Sequence, residues 1–333
     1  MTEKINSKII GMGYYAPNNI IDNEYFTQFM DTSDQWITER TGIKQRRFVD
    51  KGQGPADIAI PSVEMALKNA NLTVNDIEFI IFATSSPDYY IPGSGCILQE
   101  KMNFPNIGAL DIRNACAGYI FALSVADQYI KTGTFSNILI VAAEVQSSAM
   151  DLSNTGRDTS VIFADGAAAT ILSGTSQNEG ILSTHLHTEG KYVKELWLEA
   201  PSSKSNPKLD QEILDQGKHF LKMNGREVFK HAVKRFPEVI IEGLEHNNLT
   251  VEDISLLIPH QANVRISKMI QKKLGLDDNQ VISNIHKYGN TTAASVPIAL
   301  CETINNNKLH KGDTLVLAAF GSGFSWGSAI LKW

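Results

Sequence analysis

Three side chains stand out by type and setting: Cys116, His260 and Asn290. Cys116 follows an apolar strand ending near Ile112, a small-residue turn through Ala115, and precedes a helix of about four turns from Ala117-Gly118. A thiol at a helix N-terminus meets unpaired N–H groups and the positive end of the dipole, which favours a thiolate nucleophile. His260, in Leu256-Leu-Ile-Pro-His-Gln-Ala-Asn263, ends an apolar strand, where open α/β sheets place their ligands. Asn290 sits in Tyr288-Gly-Asn-Thr-Thr-Ala-Ala-Ser-Val-Pro297, a tight turn entering a closely packed helix. Singly, each has a bland reading: a buried structural thiol, a surface-loop histidine and a helix-capping asparagine. Together they offer a nucleophile and two hydrogen-bond donors for developing negative charge.

The elements that must position them come in duplicate. Asn71-Leu-Thr-Val-Asn-Asp-Ile-Glu-Phe-Ile-Ile81 recurs as Asn248-Leu-Thr-Val-Glu-Asp-Ile-Ser-Leu-Leu-Ile258, with 7 of 11 positions identical at an offset of 177. Asn137–Glu144 matches Asp313–Phe320 at an offset of 176. The chain therefore reads as two copies of one unit, 1–175 and 176–333, with Cys116 in the first and His260 and Asn290 in the second. Each copy runs from a helix (Ala56–Ala70, Glu227–His246) through the Asn-Leu-Thr-Val turn into a buried strand (Ile77–Ala83, Ile254–Ile258), the grammar of parallel α/β architecture. Val161–Leu172 is expected as two strands around Asp165-Gly166, and Phe324–Trp333 closes the second copy similarly. The polar stretch Ala200–Lys218 reads as a surface excursion.

Composition narrows the function classes. With 30 Lys and Arg against 36 Asp and Glu the 333 residues carry a net charge of −6, which argues against a generic nucleic-acid binder. No apolar run reaches the ~20 residues of a membrane span, and Met1–Asn6 lacks a signal-peptide pattern, so a soluble cytoplasmic enzyme is expected. Cys96, Cys116 and Cys301 have no CxxC spacing, leaving neither a disulfide framework nor a cysteine zinc site. His185 and His187 share a strand face, yet no cysteine or carboxylate cluster in the sequence completes a metal site; Gly321-Ser-Gly323 lacks the context of a dinucleotide loop.

Cysteine, histidine and asparagine also make the papain-like hydrolases, but their Cys-Gly-Ser-Cys-Trp type of signature is absent. The motifs Asn114-Ala-Cys-Ala-Gly118, Pro259-His-Gln-Ala-Asn263, Tyr288–Pro297 and Ala319-Phe-Gly-Ser-Gly-Phe-Ser-Trp-Gly327 instead resemble β-ketoacyl-acyl-carrier-protein synthase III, over essentially the whole chain. The resemblance implies a thiolase-like duplicated five-layer αβαβα fold and a homodimer. It implies that Cys116 takes an acyl group from acyl-CoA, a substrate rather than a cofactor. Malonyl-acyl-carrier protein then loses CO₂, and its enolate, held by His260 and Asn290, attacks the thioester. Backbone N–H groups of Cys116 and Ser322 would form the oxyanion hole. Asn290 and the absence of a cysteine after Cys301 separate the chain from elongating ketosynthases and thiolases, and chalcone-synthase-like enzymes usually have longer chains.

By the same resemblance Trp36 and Arg157 would sandwich the CoA adenine, Arg40 would meet its phosphates, Asn263 would bond the pantetheine arm and Phe229 would line the tunnel. Lys230, Arg265, Lys268, Lys272 and Lys273 would form a basic face for an acidic carrier protein. Three departures stand out. Ile91 replaces a phenylalanine that, in acetyl-selective members, the partner subunit inserts into the acyl pocket. Asp158 follows Arg157 where some members have glycine. Ser322 replaces a glycine, whose donor survives unless the position needs a positive φ. The alternatives are a specialised ketosynthase using medium or long acyl chains in lipid or secondary metabolism, and a non-catalytic carrier-protein-binding partner.

Overall fold

The computed structural model describes residues 5–333, so most of the Met1–Asn6 stretch lies outside the described residues. The repeated Asn-Leu-Thr-Val turn has a direct physical reading. Asn71 and Asn248 both take φ 55°, the left-handed conformation that ends a helix and that Asn tolerates better than most residues. Two residues on, Thr73 and Thr250 each open a single helical turn, and the Asp76 and Asp253 carboxylates accept from their N–H groups at 2.8 and 2.7 Å. The chain is thereby turned from helix into strand in the same way twice.

Those strands belong to two mixed sheets. The first has the order β1-β7-β6-β4-β5, from β1 (Asn6–Tyr15), β4 (Phe79–Ala83), β5 (Gly108–Ile112), β6 (Asn137–Glu144) and β7 (Gly166–Thr175). The second has the order β11-β12-β13-β8, from β8 (Gly180–Thr188), β11 (Leu256–Pro259), β12 (Thr314–Gly321) and β13 (Ser325–Lys332). Two ribbons, β2 (Asn19–Asp22) with β3 (Gln45–Phe48) and β9 (Leu196–Trp197) with β10 (Lys222–Met223), stand apart. β4 pairs parallel with β5 and β6, and β11 pairs parallel with β12. Since β6 begins at Asn137 and β12 at Thr314, the strand repeat has the same 177-residue spacing as the turn, one more than the aligned letters suggest.

Three layers of helix enclose the sheets. The small helices α1 (Glu24–Thr27) and α2 (Asp34–Thr41) precede α3 (Pro55–Ala70), which covers the outer face of the first sheet with α4 (Ser94–Lys101). α5 (Gly118–Lys131) touches strands of both sheets and forms the middle layer with α11 (Ser295–Asn305). Ile120, Leu123, Val296 and Leu300 bury there with the facing strands. After the short α6 (Arg157–Ser160) and α7 (Gln211–Asp215), α8 (Gly225–His246) covers the second sheet and packs against α9 (Val264–Leu274); α10 (Ile285–Tyr288) leads towards Asn290. The order is helix, sheet, helix, sheet, helix. None of the described helices is long and apolar enough to cross a membrane.

One expectation is corrected. Val161–Leu172 is not two strands: only Gly166 onward joins β7, and α6 runs up to Ser160. The residues between are held by other parts of the chain. The buried Arg46 guanidinium donates to the Val161 carbonyl at 2.7 Å, Asn290 N–H to Ile162 O at 3.0 Å, and Ala164 N–H to Asn290 O at 2.9 Å. Asp165, also buried, accepts from the Ser147 hydroxyl at 2.6 Å and from Val49 N–H at 2.8 Å.

Candidate active site

β5 ends at Ile112 and the chain turns into α5 through Ala115, a non-glycine residue at φ 44°. Thr292, 177 positions later, holds φ 51° before α11, so the same strained entry occurs in both copies. Cys116 follows the first of these turns and is only 3% exposed. The thiolate expected from the helix N-terminus is not the resting state. Burial pushes the thiol well above its ordinary range, and the fully buried Glu144 at the end of β6 acts in the same direction. Glu144 sits in a cage of hydroxyls and amides, accepting from Ser85 N–H and Oγ, Ser86 Oγ and Gln146 Nε2. Burial holds its own carboxyl above the usual range as well.

His260 leaves β11 with its N–H bonded to Ala318 O of β12 at 2.8 Å, and it is 2% exposed rather than a surface-loop residue. Burial lowers its pKa to about 3, so the imidazole is neutral at physiological pH. Its Nδ1 lies 2.6 Å from the Ser295 hydroxyl, which also accepts from Gln261 N–H at 3.3 Å. A serine hydroxyl can accept from Nδ1–H or donate to Nδ1, so either tautomer is supported. Asn290 does not cap α11, whose N-cap is Ala294. Its Oδ1 accepts from Thr292 N–H at 2.9 Å, which leaves the amide NH₂ as the free half.

These residues meet in one cavity of about 690 Å³, lined by Cys116, His260, Asn290, Phe320 and Gly321 at its buried end and by Arg40, Asp158, Arg226 and Arg265 at its exposed rim. A methyl on Gly321 would stand 2.7 Å from Cys116 Cβ, 3.0 Å from its N and 3.1 Å from Sγ, so only glycine leaves the space above the sulfur open. Ser322 is not among the positive-φ residues; the neighbouring Gly323, at φ 132°, takes that conformation. The serine in place of glycine is therefore unstrained, and its hydroxyl donates to Leu196 O.

Trp36, Arg40, Asn263 and Phe229 line the same cavity. The Arg157 guanidinium rests 4.8 Å from the Trp36 ring centroid, too close for a base between them, since each stacked layer needs about 3.5 Å. Arg40 also lies on Trp36, at 4.3 Å. Asp158 pairs with Arg157 Nε at 3.6 Å. The Asn263 amide is already committed, accepting from Arg265 N–H at 2.8 Å as the cap of α9 and donating to Arg40 O at 2.9 Å.

A second cavity, about 610 Å³, opens from the other side of Cys116 and shares Phe163 and Leu196 with the first. Ile91 lies on its flanking loop, 80% exposed and outside the lining of either cavity. On α9, Ile266, Ile270 and Leu274 face inward while Arg265, Lys268, Lys272 and Lys273 face solvent, with Lys273 donating to Val233 O at 2.8 Å. Lys230 of α8 pairs with Glu227 at 3.3 Å. His185 and His187 each meet the Glu242 carboxylate, at 3.3 and 2.6 Å, a carboxylate partner not foreseen from the sequence. No group of three metal-ligating side chains among the described residues is placed to hold an ion.

Sequence reasoning missed Ser295, Gly321 and Glu144 as parts of this site. Ser295 and Gly321 lie inside motifs already singled out, whereas Glu144 closes an otherwise apolar strand, a charge that needed explaining.

The profile of the 3-oxoacyl-[acyl-carrier-protein] synthase III C-terminal region matches residues 244–333, and a second profile of 3-oxoacyl-[acyl-carrier-protein] synthase III matches residues 110–190. A β-ketoacyl-[acyl-carrier-protein] synthase III of Clostridium perfringens is 41% identical over 98% of this chain and 99% of its own. The crystal structure of 3-oxoacyl-[acyl-carrier-protein] synthase III from Aquifex aeolicus superposes with a TM-score of 0.90 at 39% identity, covering 98% of this chain and 100% of that one. The priming β-ketosynthase of the R1128 polyketide pathway also reaches 0.90, at 27% identity, covering 100% of this chain and 98% of its own.

Proposed function

Because the chain belongs to the 3-oxoacyl-[acyl-carrier-protein] synthase III family, we propose that it catalyses the decarboxylative condensation of acyl-CoA with malonyl-acyl-carrier protein that initiates fatty-acid synthesis. The carrying observation is the convergence of a buried cysteine, a neutral histidine and an oriented asparagine amide on one cavity.

In the first half-reaction Cys116 Sγ attacks the acyl-CoA carbonyl; the C–S bond to CoA breaks, and the proton lost by Cys116 ends on the departing CoA thiol. Since the resting thiol is protonated, it needs an acceptor at the moment of attack. Neutral His260 supplies one at Nε2 while Ser295 accepts from Nδ1–H. The open space above Gly321 receives the tetrahedral oxygen, with the backbone N–H groups of Cys116 and Ser322 as its donors.

In the second half-reaction the tautomer reverses. Ser295 donates to Nδ1, and Nε2–H with the Asn290 NH₂ stabilises the enolate oxygen formed as CO₂ leaves. The enolate carbon then displaces Cys116 Sγ from the acyl carbonyl, and the departing thiolate takes one proton from solvent to return to the resting thiol. Burial suits this step: a histidine that stays neutral donates without attracting a counter-ion into the cavity.

Trp36, Arg40, Arg157, Asn263 and Phe229 form the CoA side in this reading, with Arg157 swinging off the Trp36 ring to admit the base. The exposed charges of α9, with Lys230 of α8, form the carrier-protein face beside the cavity rim. The chain works in the cytoplasm as a homodimer, a reading supported by the exposed apolar tip Tyr89-Tyr90-Ile91. The halves 1–175 and 176–333 are copies of one unit, supported by the 177-residue spacing of turns and strands.

A second reading, a ketosynthase for medium or long primers, is favoured by the 610 Å³ cavity beyond Cys116. Incubation with acyl-CoA thioesters of two to twelve carbons, followed by intact-mass measurement, tests both readings. A thioester adduct on Cys116 is expected, and no adduct with any chain would remove both.

A further inference from the structure

The cavity beyond Cys116 has a wall that a plain hydrocarbon chain does not call for. Phe163, Leu196 and Trp197 are apolar, but Arg113, three residues before Cys116, lines the same space. The arginine ion pairs among the described residues are those of Arg157 and Arg235, so Arg113 has no carboxylate partner there. Asp111, two residues earlier in the chain, and Asp88, which lines the same cavity, are both engaged elsewhere. Asp111 accepts from Ser94 and Gly95 N–H at 2.6 and 2.9 Å, at the start of α4. Asp88 accepts from Ala56 N–H at 3.3 Å, at the start of α3.

A second cation, Lys208, lies beside this arm on the Tyr90 ring without lining the cavity. The excursion 200–218 folds back over it, with Ser203 Oγ 3.0 Å from the Tyr90 hydroxyl and Lys208 Nζ 3.9 Å from the Tyr90 ring centroid. The Ser203 bond, then Lys208 and Arg113, hold the Tyr90 phenol below its ordinary range, as an electropositive surrounding should. Arg113 is exposed in the single chain and lines this cavity, and a guanidinium there without an ion-pair partner is a fork that fits a carboxylate.

We propose that this arm accepts primers ending in a carboxylate, that is CoA monothioesters of short dicarboxylic acids, with Arg113 holding the distal carboxylate while Cys116 takes the acyl carbon. The inference rests on the family reaction and adds a substrate class to it. The covalent step is the same exchange: the S–C bond to Cys116 forms, the C–S bond to CoA breaks, and CoA leaves as the thiol.

The test compares matched pairs of CoA thioesters, succinyl with butyryl, glutaryl with valeryl and adipyl with hexanoyl, by the rate of Cys116 acylation. At least one dicarboxylic member is expected to react at least about tenfold faster than its neutral match, the range of a charge-assisted hydrogen bond. Arg113→Gln should abolish that ratio while leaving acylation by the neutral thioesters within about twofold, and Arg113→Lys should restore part of it. Neutral members reacting as fast as the dicarboxylic ones in the unaltered enzyme would overturn the proposal and leave the family reaction standing. So would an Arg113→Gln variant that keeps the ratio but loses its dimer by light scattering, since Arg113 would then be a subunit contact. No adduct with any of the six would remove the family reading together with the proposal.

Discussion

At the scale of single residues, burial sets the chemistry by opposing charge on both reacting groups: it keeps the Cys116 thiol protonated and the His260 imidazole neutral. A histidine whose pKa is about 3 when folded, against an ordinary value of 6.5, binds a proton in the unfolded chain first. Its contribution to stability is therefore present above about pH 6.5 and is lost as the pH falls towards 3. Urea midpoints at pH 7 and pH 5 should drop less between the two for His260→Asn than for the unaltered chain. An equal drop would mean that His260 titrates normally. Asn290→Ala should keep Cys116 acylation and lose malonyl decarboxylation by roughly 10²–10³, the cost of one oxyanion donor, read as CO₂ release. The residue types of this site were legible in the sequence because Cys116, His260 and Asn290 each sit in a telling local context. Their protonation states were not, since a helix N-terminus and a neighbouring Glu144 pull a thiol in opposite directions and only the fold says how deeply it is buried.

Elements explain why those residues stay where they are. The Asn-Leu-Thr-Val turn was readable because its capping is local: one left-handed asparagine and one Thr-x-x-Asp box, used twice. The segment 161–165 was not readable, because its partners, Arg46 and Asn290, lie more than a hundred residues away in sequence. The close approach of β12 to Cys116 yields a sharp expectation. Gly321→Ala places a methyl 3.1 Å from Sγ and should slow acylation at least ~100-fold, at a stability cost of about 1–3 kcal/mol. Unchanged acylation would show that the oxyanion does not form there. At the cavity rim, Trp36→Ala should raise the KM for acyl-CoA about 3–30-fold with little change in kcat, the range of one cation–π or stacking contact. A fall in kcat alone would place Trp36 in the scaffold instead.

For the molecule as a whole, a net charge of −6 hides an uneven surface, with Arg265, Lys268, Lys272 and Lys273 exposed on α9 and Arg265 at the cavity rim. Lys268→Glu with Lys272→Glu should lower kcat/KM for malonyl-acyl-carrier protein at least about tenfold at low salt, with the gap closing as salt is added. Cys116 acylation by acyl-CoA should be untouched; parallel loss of both would point to damage to the fold. Duplication was visible in the sequence because its strongest repeat lies in a cap whose chemistry tolerates few substitutes. The meeting of one copy's cysteine with the other's histidine and asparagine was legible only through the duplication and the family resemblance, since no local pattern encodes a contact between halves. Intact mass through one full turnover decides whether the three residues work as one site. Acyl-CoA should add one acyl mass to Cys116, and malonyl-acyl-carrier protein should then remove it as β-ketoacyl-acyl-carrier protein with release of CO₂. An acyl-enzyme that persists on adding malonyl-acyl-carrier protein, or that discharges only to free acid, would contradict it.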